Sequence, residues 1–175
     1  MNSCPWGLNK ANLAKFHEEE WGRPIHEDNK LFEFLSLSVL ASGLSYGTVL
    51  DKRDDLCLAF HDFEIDKVAQ MSPEEIERIL CDKRMIRNKK KVSAVVCNAT
   101  VSQKMRANGR TLDDFFWSYT GFRTIDNKWL HAEMIPEQTL LSRKISDEMH
   151  ERGFVMVGPV GIVNDHLIDC QARIS

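Results

Sequence analysis

Apolar residues recur three and four positions apart along most of the chain, which is the spacing of one face of an α-helix. The first such pattern extends to Ala41, with Asp28 placed to cap the helix and Gly43 to break it. A second helix is expected from near Ser45 to Arg53. The alternation of apolar and polar residues that marks a half-buried strand does not persist anywhere, so the pattern predicts an all-α fold.

Further helix boundaries are indicated by capping residues. Residues 72–75, Ser-Pro-Glu-Glu, combine a serine cap, a proline at the first helical position and a glutamate three residues after the cap. Asn88 and Thr111 are placed to begin two more helices, the first of them long. Residues 140–152 are amphipathic, and Gly153 is suited to a left-handed cap at the end of that helix.

The size and composition of the chain fit one globular domain. Its 175 residues, 43% of them apolar and 28% charged, are enough to bury a full core. Residues 120–138 have weak periodicity and are interpreted as a loop. Because no apolar run reaches membrane-spanning length and no secretory leader is found, we expect a cytosolic protein without a membrane partner. We predict one helical domain over residues 1–175 and a monomer.

Charge is unevenly distributed along the chain. The net charge of −3 argues mildly against a general nucleic-acid binder, because neutralised phosphates supply most of the affinity of such proteins. Residues 83–91, however, carry six positive charges and no acid. Arg87 and the three lysines at 89–91 can contact phosphates, or they can form a solvated helix face. The sequence leaves both interpretations open.

The cysteines do not indicate disulfides. There are five of them, an odd number, in a protein expected in a reducing compartment. Cys57, Cys81 and Cys97 fall within apolar helical patterns, so we interpret them as small buried residues.

Four potential metal ligands lie near the two ends of the chain: Cys4, His17, His166 and Cys170. His166 and Cys170 are four residues apart, so on a helix they would share one face. Two sulfurs and two nitrogens would complete the closed tetrahedral set of a structural zinc site. The spacing alone fits ordinary residues equally well, because the N-terminal pair lacks the tight Cys-x-x-Cys pattern.

Seven short motifs, taken together, are typical of one enzyme family. In chain order they are Cys4-x-Trp6, His17-Glu18-Glu19-Glu20-Trp21-Gly22-x-Pro24, Ser42-Gly43-Leu44-Ser45-Tyr46, Ile86-Arg87-Asn88-x-x-Lys91, Phe116-Trp117-Ser118-Tyr119, Arg152-Gly153-Phe154, and Val163-Asn164-Asp165-His166-Leu167 continuing to Cys170. This order resembles the DNA-3-methyladenine glycosylase I family, the helix-hairpin-helix enzymes that excise alkylated adenine. The resemblance extends over nearly the whole chain and implies double-stranded DNA containing alkylated adenine as the partner.

The resemblance also implies roles for particular positions. The family's ligands for a structural zinc ion, which would tie the two termini together, match Cys4, His17, His166 and Cys170. Its base pocket, which holds a flipped base by stacking and hydrogen bonds, matches Trp6, Phe16, Trp21, Ser38 and Tyr46. The turn whose leucine wedges into the base stack matches Gly43 and Leu44, and the first half of the DNA-binding hairpin matches Gly153 to Gly158.

Three pocket positions depart from the residues usual in that family. Ser38 stands where a glutamate is usual, so the catalytic carboxylate is unassigned. Another acid, Glu20 or Glu33, would have to replace it. Phe16 stands in place of a tyrosine and Tyr46 in place of a tryptophan, which implies weaker recognition of the base.

The hairpin region departs as well. After residues 157–159, Val-Gly-Pro, the second helix of the hairpin is expected to be missing, which would weaken DNA docking because that helix presents amides to a phosphate. Asp165 is expected to cap the short helix carrying His166, or to orient that ligand. Phe116 and Trp117 are expected in the core. The histidines at 26, 61, 131 and 150 are expected at the surface.

Two functions are compatible with these residues. The first is an active glycosylase that hydrolyses the N-glycosidic bond of 3-methyladenine in DNA and releases the free base. The second is a relative without catalysis that binds a modified base, DNA or a protein partner. A carboxylate that reaches the pocket would favour the first function, and acids held far from it would favour the second.

Overall fold

The computed structural model describes residues 11–124 and 136–164 as an assembly of helices. In chain order these are α1 (Ala11–Glu19), α2 (Asp28–Ala41), α3 (Tyr46–Leu50), α4 (Arg53–Ala59), α5 (Ile65–Ala69), α6 (Pro73–Cys81), α7 (Lys89–Ala107), α8 (Leu112–Ser118), α9 (Leu140–Glu151) and α10 (Pro159–Asn164), with a 3-10 turn at His61–Phe63. No strand occurs in these two ranges, and the predicted all-α class is confirmed. None of the helices described there is long and apolar enough to cross a membrane.

The capping residues identified in the sequence begin their helices. Ser72 Oγ accepts the backbone N–H of Glu75 at 3.2 Å, and the Glu75 carboxylate accepts the N–H of Ser72 at 2.8 Å. Thr111 begins α8 with the same reciprocal arrangement. Asn88 caps α7 through its side chain. Each cap satisfies backbone donors that have no partner inside the helix, which is why these starts are readable from the sequence.

Two boundaries expected in the first part of the chain are wrong. Asp28 is the first residue of α2 rather than its cap, and its carboxylate accepts the backbone N–H of Asp113 at 2.9 Å. The helix expected from Ser45 to Arg53 is divided, because α3 ends at Leu50 and α4 begins at Arg53. Contacts with distant parts of the chain outweigh local propensity at both places.

Helix α2 lies in the middle of the described core, in contact with α3, α7, α8 and α10. Its buried residues are Leu31, Phe32, Glu33, Phe34, Leu35, Ser36, Leu37, Val39 and Leu40. Apolar side chains therefore face every side of this helix, as expected where other helices surround it. Burial of each Leu or Phe contributes roughly 1.5–3 kcal/mol. Phe116 and Trp117 are also buried, as predicted.

The cysteines lie closer to the surface than the sequence indicates. Cys57 is half-buried, whereas Cys81 and Cys97 are exposed, so the prediction of burial is wrong for the last two. Cys81 lies beside Glu77 in the last turn of α6, and Cys97 lies on the side of α7 that faces the backbone of Gly153. An apolar helical pattern therefore does not by itself place a cysteine in the core.

The histidines behave mostly as expected. His26 and His150 are exposed. His61 is half-buried instead, because its Nε2 pairs with a carboxylate oxygen of Glu75 at 3.0 Å. His131 lies outside the described residues.

A helix follows Pro159, so the prediction that the second hairpin helix is missing is wrong. Helix α10 has six residues and packs against α9 and α2. A proline is suited to the first turn of a helix, where the absence of its N–H loses no hydrogen bond. Residues 160–164, which follow the Val-Gly-Pro segment directly, are themselves helical.

Candidate active site

Helix α2, the turn that follows it and the α9–α10 hairpin surround a cavity of about 370 Å³. Among the residues that the structure describes, those lining it are uncharged: Ser38, Ala41, Ser42, Gly43, Leu44, Tyr46, Met156, Gly158, Val160 and Gly161. Five positions to which the resemblance assigns base or DNA binding are among them, namely Ser38, Gly43, Leu44, Tyr46 and Gly158. The fold thus brings together residues from two segments far apart in the sequence.

The turn after α2 presents a leucine to solvent at this cavity. Gly43 has a φ of +72°, a left-handed conformation that favours glycine. The N–H of Leu44 donates to the carbonyl of Ala41 at 2.6 Å, and the Ser45 hydroxyl caps α3. Between these two anchors the Leu44 side chain is 45% exposed. An apolar side chain held in this way is suited to insertion between bases.

Two apolar residues of the hairpin face the same opening. Met156 and Val160 line the cavity, and both are exposed. We call Leu44, Met156 and Val160 the apolar rim. Grouped exposed apolar side chains of this kind mark interaction sites more often than isolated ones do. Sequence reasoning missed Met156 and Val160, because an apolar residue in a short segment carries no signal of its exposure.

A buried asparagine holds the hairpin loop in place. Asn98 of α7 donates from Nδ2 to the carbonyl of Val155 at 3.1 Å, and its Oδ1 accepts the Val155 N–H at 2.8 Å. Ser146 of α9 donates to the carbonyl of Val157 at 2.8 Å. Gly153, with a φ of +96°, begins this loop as the predicted left-handed cap of α9. The loop that carries Met156 is therefore bonded to two helices.

The aromatic residues assigned to the base pocket take different places. Tyr46 lines the cavity, and its ring centroid lies 5.4 Å from that of Phe16. Phe16 is buried behind Tyr46, with its ring centroid 5.8 Å from that of Phe34. Trp21 is buried and stacks on His17 at 4.8 Å. Tyr46 thus faces the cavity directly, whereas Phe16 supports it from the core.

Ser38 and Gly161 are in close contact across the cavity wall. A Cβ atom at position 161 would lie 2.0 Å from Ser38 Oγ and 3.1 Å from Ser38 Cβ. Only a glycine therefore lets α10 approach α2 this closely with the serine hydroxyl in its present place. Gly161 was not identified from the sequence, because the contact joins two helices that are distant along the chain.

The two acids considered as replacements for the missing carboxylate lie elsewhere. Arg53 donates to both oxygens of Glu20, at 2.6 and 2.7 Å, and to Glu33 at 2.7 Å. Lys30 Nζ lies 2.8 Å from the other oxygen of Glu33. Burial alone would raise the pKa of Glu20, but the hydrogen bonds and charge of Arg53 hold it below its usual value. Both acids are thus ion-paired, and neither lines the cavity.

The basic segment divides into exposed and buried members. Arg87, Lys89 and Lys90 are exposed, which fits both a phosphate contact and a solvated helix face. Lys91 is buried, and its Nζ donates to the carbonyl of Leu40 at 2.7 Å. Both sequence interpretations of Lys91, a phosphate contact or a solvated face, are therefore wrong, because the side chain points into the fold.

One of the four expected metal ligands lies in the described part of the chain. His17 of α1 is half-buried, its Nε2 is shielded from solvent, and its ring orientation is held by Trp21. Cys4, His166 and Cys170 lie outside the described residues, as do Trp6 and Asp165.

Comparison with known proteins assigns the chain to a family. The methyladenine glycosylase family model matches residues 6–173. The chain belongs to this family. It is 34% identical over 181 residues to the DNA-3-methyladenine glycosylase of Haemophilus influenzae, covering 98% of each protein. It is also 34% identical over 179 residues to DNA-3-methyladenine glycosylase 1 of Escherichia coli K12, covering 97% of this chain and 96% of the relative.

The fold agrees with that of a solved family member. A crystal structure of a tyrosine-to-phenylalanine variant of 3-methyladenine DNA glycosylase I, in complex with 3-methyladenine, superposes with a TM-score of 0.90. The two are 30% identical, and the match covers 100% of this chain and 96% of that chain. The family resemblance drawn from the seven motifs is therefore confirmed.

Proposed function

We propose that this family member is a DNA-3-methyladenine glycosylase, which removes 3-methyladenine from DNA in base excision repair. The observation that carries the proposal is the cavity between Ser38 and Tyr46, with the apolar rim at its opening. Family membership supplies the reaction, since two relatives that match almost end to end bear this name. Double-stranded DNA is then the macromolecular partner, and free 3-methyladenine is a product.

Base binding would rest on Tyr46 and Ser38. The Tyr46 ring offers a stacking surface, and stacking on an aromatic side chain contributes about 1–3 kcal/mol per base. The Ser38 hydroxyl can donate or accept one hydrogen bond at the edge of the base. Phe16, in the place of a usual tyrosine, is compatible with this role, because a tyrosine-to-phenylalanine variant of a relative was crystallised with 3-methyladenine. Trp6 and Trp21 complete the proposed pocket.

DNA binding would place the apolar rim against the duplex. Leu44 enters the space left by the flipped base, while the hairpin from Gly153 to Gly158 lies along the phosphate backbone. The exposed side chains of Arg87, Lys89 and Lys90 add phosphate contacts, which supply positive charge on one face of a protein whose net charge is negative.

The reaction requires little general-acid catalysis from the protein, because the leaving base does not need to be protonated first. The methylated base is cationic in DNA, so its bond to the sugar is already weak. Water adds to the sugar carbon as that bond breaks, 3-methyladenine leaves neutral, and one proton is released. No catalytic residue is assigned, because Ser38 holds the usual glutamate position and the described acids do not line the cavity.

Release of the free base is the direct test. Purified protein incubated with methylated duplex DNA should liberate 3-methyladenine, and a Tyr46→Ala variant should liberate it at least about tenfold more slowly because a stacking surface is lost. Chromatography of the released bases measures both rates, with unmethylated duplex as the control. The uncharged side chains of the described lining residues favour the alternative, a non-catalytic binder of modified bases, DNA or a partner protein. Binding of methylated duplex by folded protein without release would establish that alternative.

We further propose a structural zinc ion bound by Cys4, His17, His166 and Cys170. The chemistry of two thiolates and two imidazoles suits this ion, and the shielded, stacked ring of His17 provides one preoriented nitrogen. Such a site would tie both termini to the fold, with Asp165 capping the short segment that carries His166 or orienting that ligand.

Metal content and thermal stability test the zinc proposal together. About one zinc per chain is expected by elemental analysis, and a chelator should lower the melting temperature because metal binding contributes folding free energy. His17→Ala should lose the metal, whereas His150→Ala, at an exposed histidine, should retain it. Metal-free protein with a melting curve insensitive to chelator would eliminate the site.

The contacts of α2 support a proposal for the domain organisation of the chain. We propose one domain over residues 1–175, since α2 contacts helices from both described segments. We also propose a monomer in the cytoplasm, where a repair enzyme of this kind meets its substrate. One cooperative unfolding transition and a solution mass of 20.1 kDa would agree with one monomeric domain, and a larger mass would exclude the monomer.

A further inference from the structure

Lys91 connects α7 to the end of α2, next to the turn that lines the candidate site. It lies in the first turn of α7, is only 6% exposed, and reaches the carbonyl of Leu40 in the last turn of α2. The two residues are 51 positions apart in the sequence. A buried lysine is costly to retain, because its ammonium group loses solvent. The contact therefore calls for an explanation beyond packing.

The Leu40 carbonyl belongs to the part of α2 where helix geometry leaves acceptors unpaired. Its neighbours on either side are satisfied by the turn itself. The Ser42 N–H donates to Val39 at 3.3 Å, and the Leu44 N–H donates to Ala41 at 2.6 Å. Lys91 supplies the donor for the carbonyl between them. Its positive charge also lies at the negative end of the α2 dipole, where a cation is stabilising.

We propose that Lys91 is a positioning residue for the Gly43–Leu44 turn and, through it, for the apolar rim. By holding the last turn of α2, the ammonium group fixes the direction in which Leu44 leaves the helix. Ser38 lies two residues before Leu40 in the same last turn of α2, so an anchor on this turn also limits the movement of Ser38. Because Lys91 is buried, it would act on the base and the DNA only through this turn. The inference rests on the proposed function, because it gives the wedge and the base pocket a shared anchor.

The test compares Lys91→Met with Lys104→Met. Methionine keeps the length of the side chain but cannot donate, and Lys104 is an exposed lysine at the opposite end of the same helix. Amide hydrogen exchange at Ser42 and Leu44 should become about tenfold or more faster in Lys91→Met, with little change in the other helices. Lys91→Arg, which retains a donor, should exchange more slowly than Lys91→Met.

Excision kinetics supply the second measurement. In Lys91→Met the single-turnover release of 3-methyladenine should fall roughly 10–100-fold, because a displaced wedge misplaces the base. The Kd for undamaged duplex should change less than about threefold, since no phosphate contact is removed. Lys104→Met should match the wild type in both measurements.

The outcomes separate the positioning role from the proposed function. Faster exchange confined to the turn, together with slower release, supports the inference. Unchanged exchange at Ser42 and Leu44, or equal acceleration in every helix, overturns it. If the wild type itself releases no base but the turn responds to Lys91→Met, the proposed function fails while the anchoring of the turn stands.

Discussion

Replacement of Arg53 by methionine is expected to lower the free energy of unfolding by about 3 kcal/mol at neutral pH, because it removes the guanidinium partner of the buried Glu33 and the partly buried Glu20. The Arg53 side chain is 16% exposed and donates to Glu20 through two nitrogens and to Glu33 through a third. Lys30 pairs with the same two acids but cannot replace the forked geometry of a guanidinium group. The loss should exceed that of any single exposed ion pair in the described helices.

The expected loss depends on pH in a direction set by Glu20. Burial opposes ionisation, but Arg53 holds the pKa of Glu20 below the unfolded-state value of 4.5. A carboxylate with a depressed pKa contributes stability above its unfolded pKa and loses that contribution as pH falls through its folded pKa. Wild type and Arg53→Met should therefore differ most at neutral pH, and the difference should shrink as the pH is lowered below about 4.5.

Arg84→Met is the matched control for this effect. Arg84 also pairs with two carboxylates, Asp82 at 2.7 Å and Asp55 at 3.0 Å, but its side chain is 66% exposed. Water screens these pairs, so the variant should lose far less stability than Arg53→Met. Urea denaturation of both variants at neutral and acidic pH gives the comparison. Equal losses at neutral pH would contradict the view that burial, rather than the number of partners, decides the effect.

The parts of the fold that local chemistry specifies were predictable from the sequence. Ser72, Asn88 and Thr111 start helices because a capping side chain needs only residues two or three positions away. The division between α3 and α4 was not predictable, since Arg53 is held by Glu20, just after α1, and by Glu33 of α2. No pattern within residues 45–53 records those partners.

In the candidate site, too, some residues were predictable from the sequence and others were not. Ser38, Leu44 and Tyr46 were identified through the family resemblance, and they do line one cavity. Gly161 and Lys91 were missed or misinterpreted, because each acts on a residue of α2 that is distant along the chain. Neither a glycine in a short segment nor a lysine in a basic run indicates, from the sequence, which distant residue it contacts.

The second large effect is expected at Ser38, where a substitution can place a negative charge in the lining of the cavity. Ser38→Glu should bind protonated 3-methyladenine at least about tenfold, or 1.4 kcal/mol, more tightly than Ser38→Gln. Glutamine has nearly the same size and hydrogen-bonding reach, so the ratio isolates the charge. Hydrogen bonds to an ionised acceptor are roughly twice as strong as neutral ones. Isothermal titration with the free base at a pH where it is protonated measures both affinities.

The contact between Ser38 and Gly161 decides how the remaining outcomes are interpreted. Gly161 is so close that a Cβ atom added to it would lie 2.0 Å from Ser38 Oγ, which leaves little room on that side for a longer side chain at position 38. We therefore expect the added atoms to extend into the cavity that Ser38 lines. If both variants bind less tightly than the wild type, the added atoms occupy the place of the base, which puts the base directly against Ser38. If both bind as the wild type does, position 38 does not face the base, and the pocket must be sought nearer Trp21. Tighter binding by Ser38→Glu alone would mean that the cavity accepts the base. It would also mean that the lack of a carboxylate at position 38 limits the affinity for a cationic base.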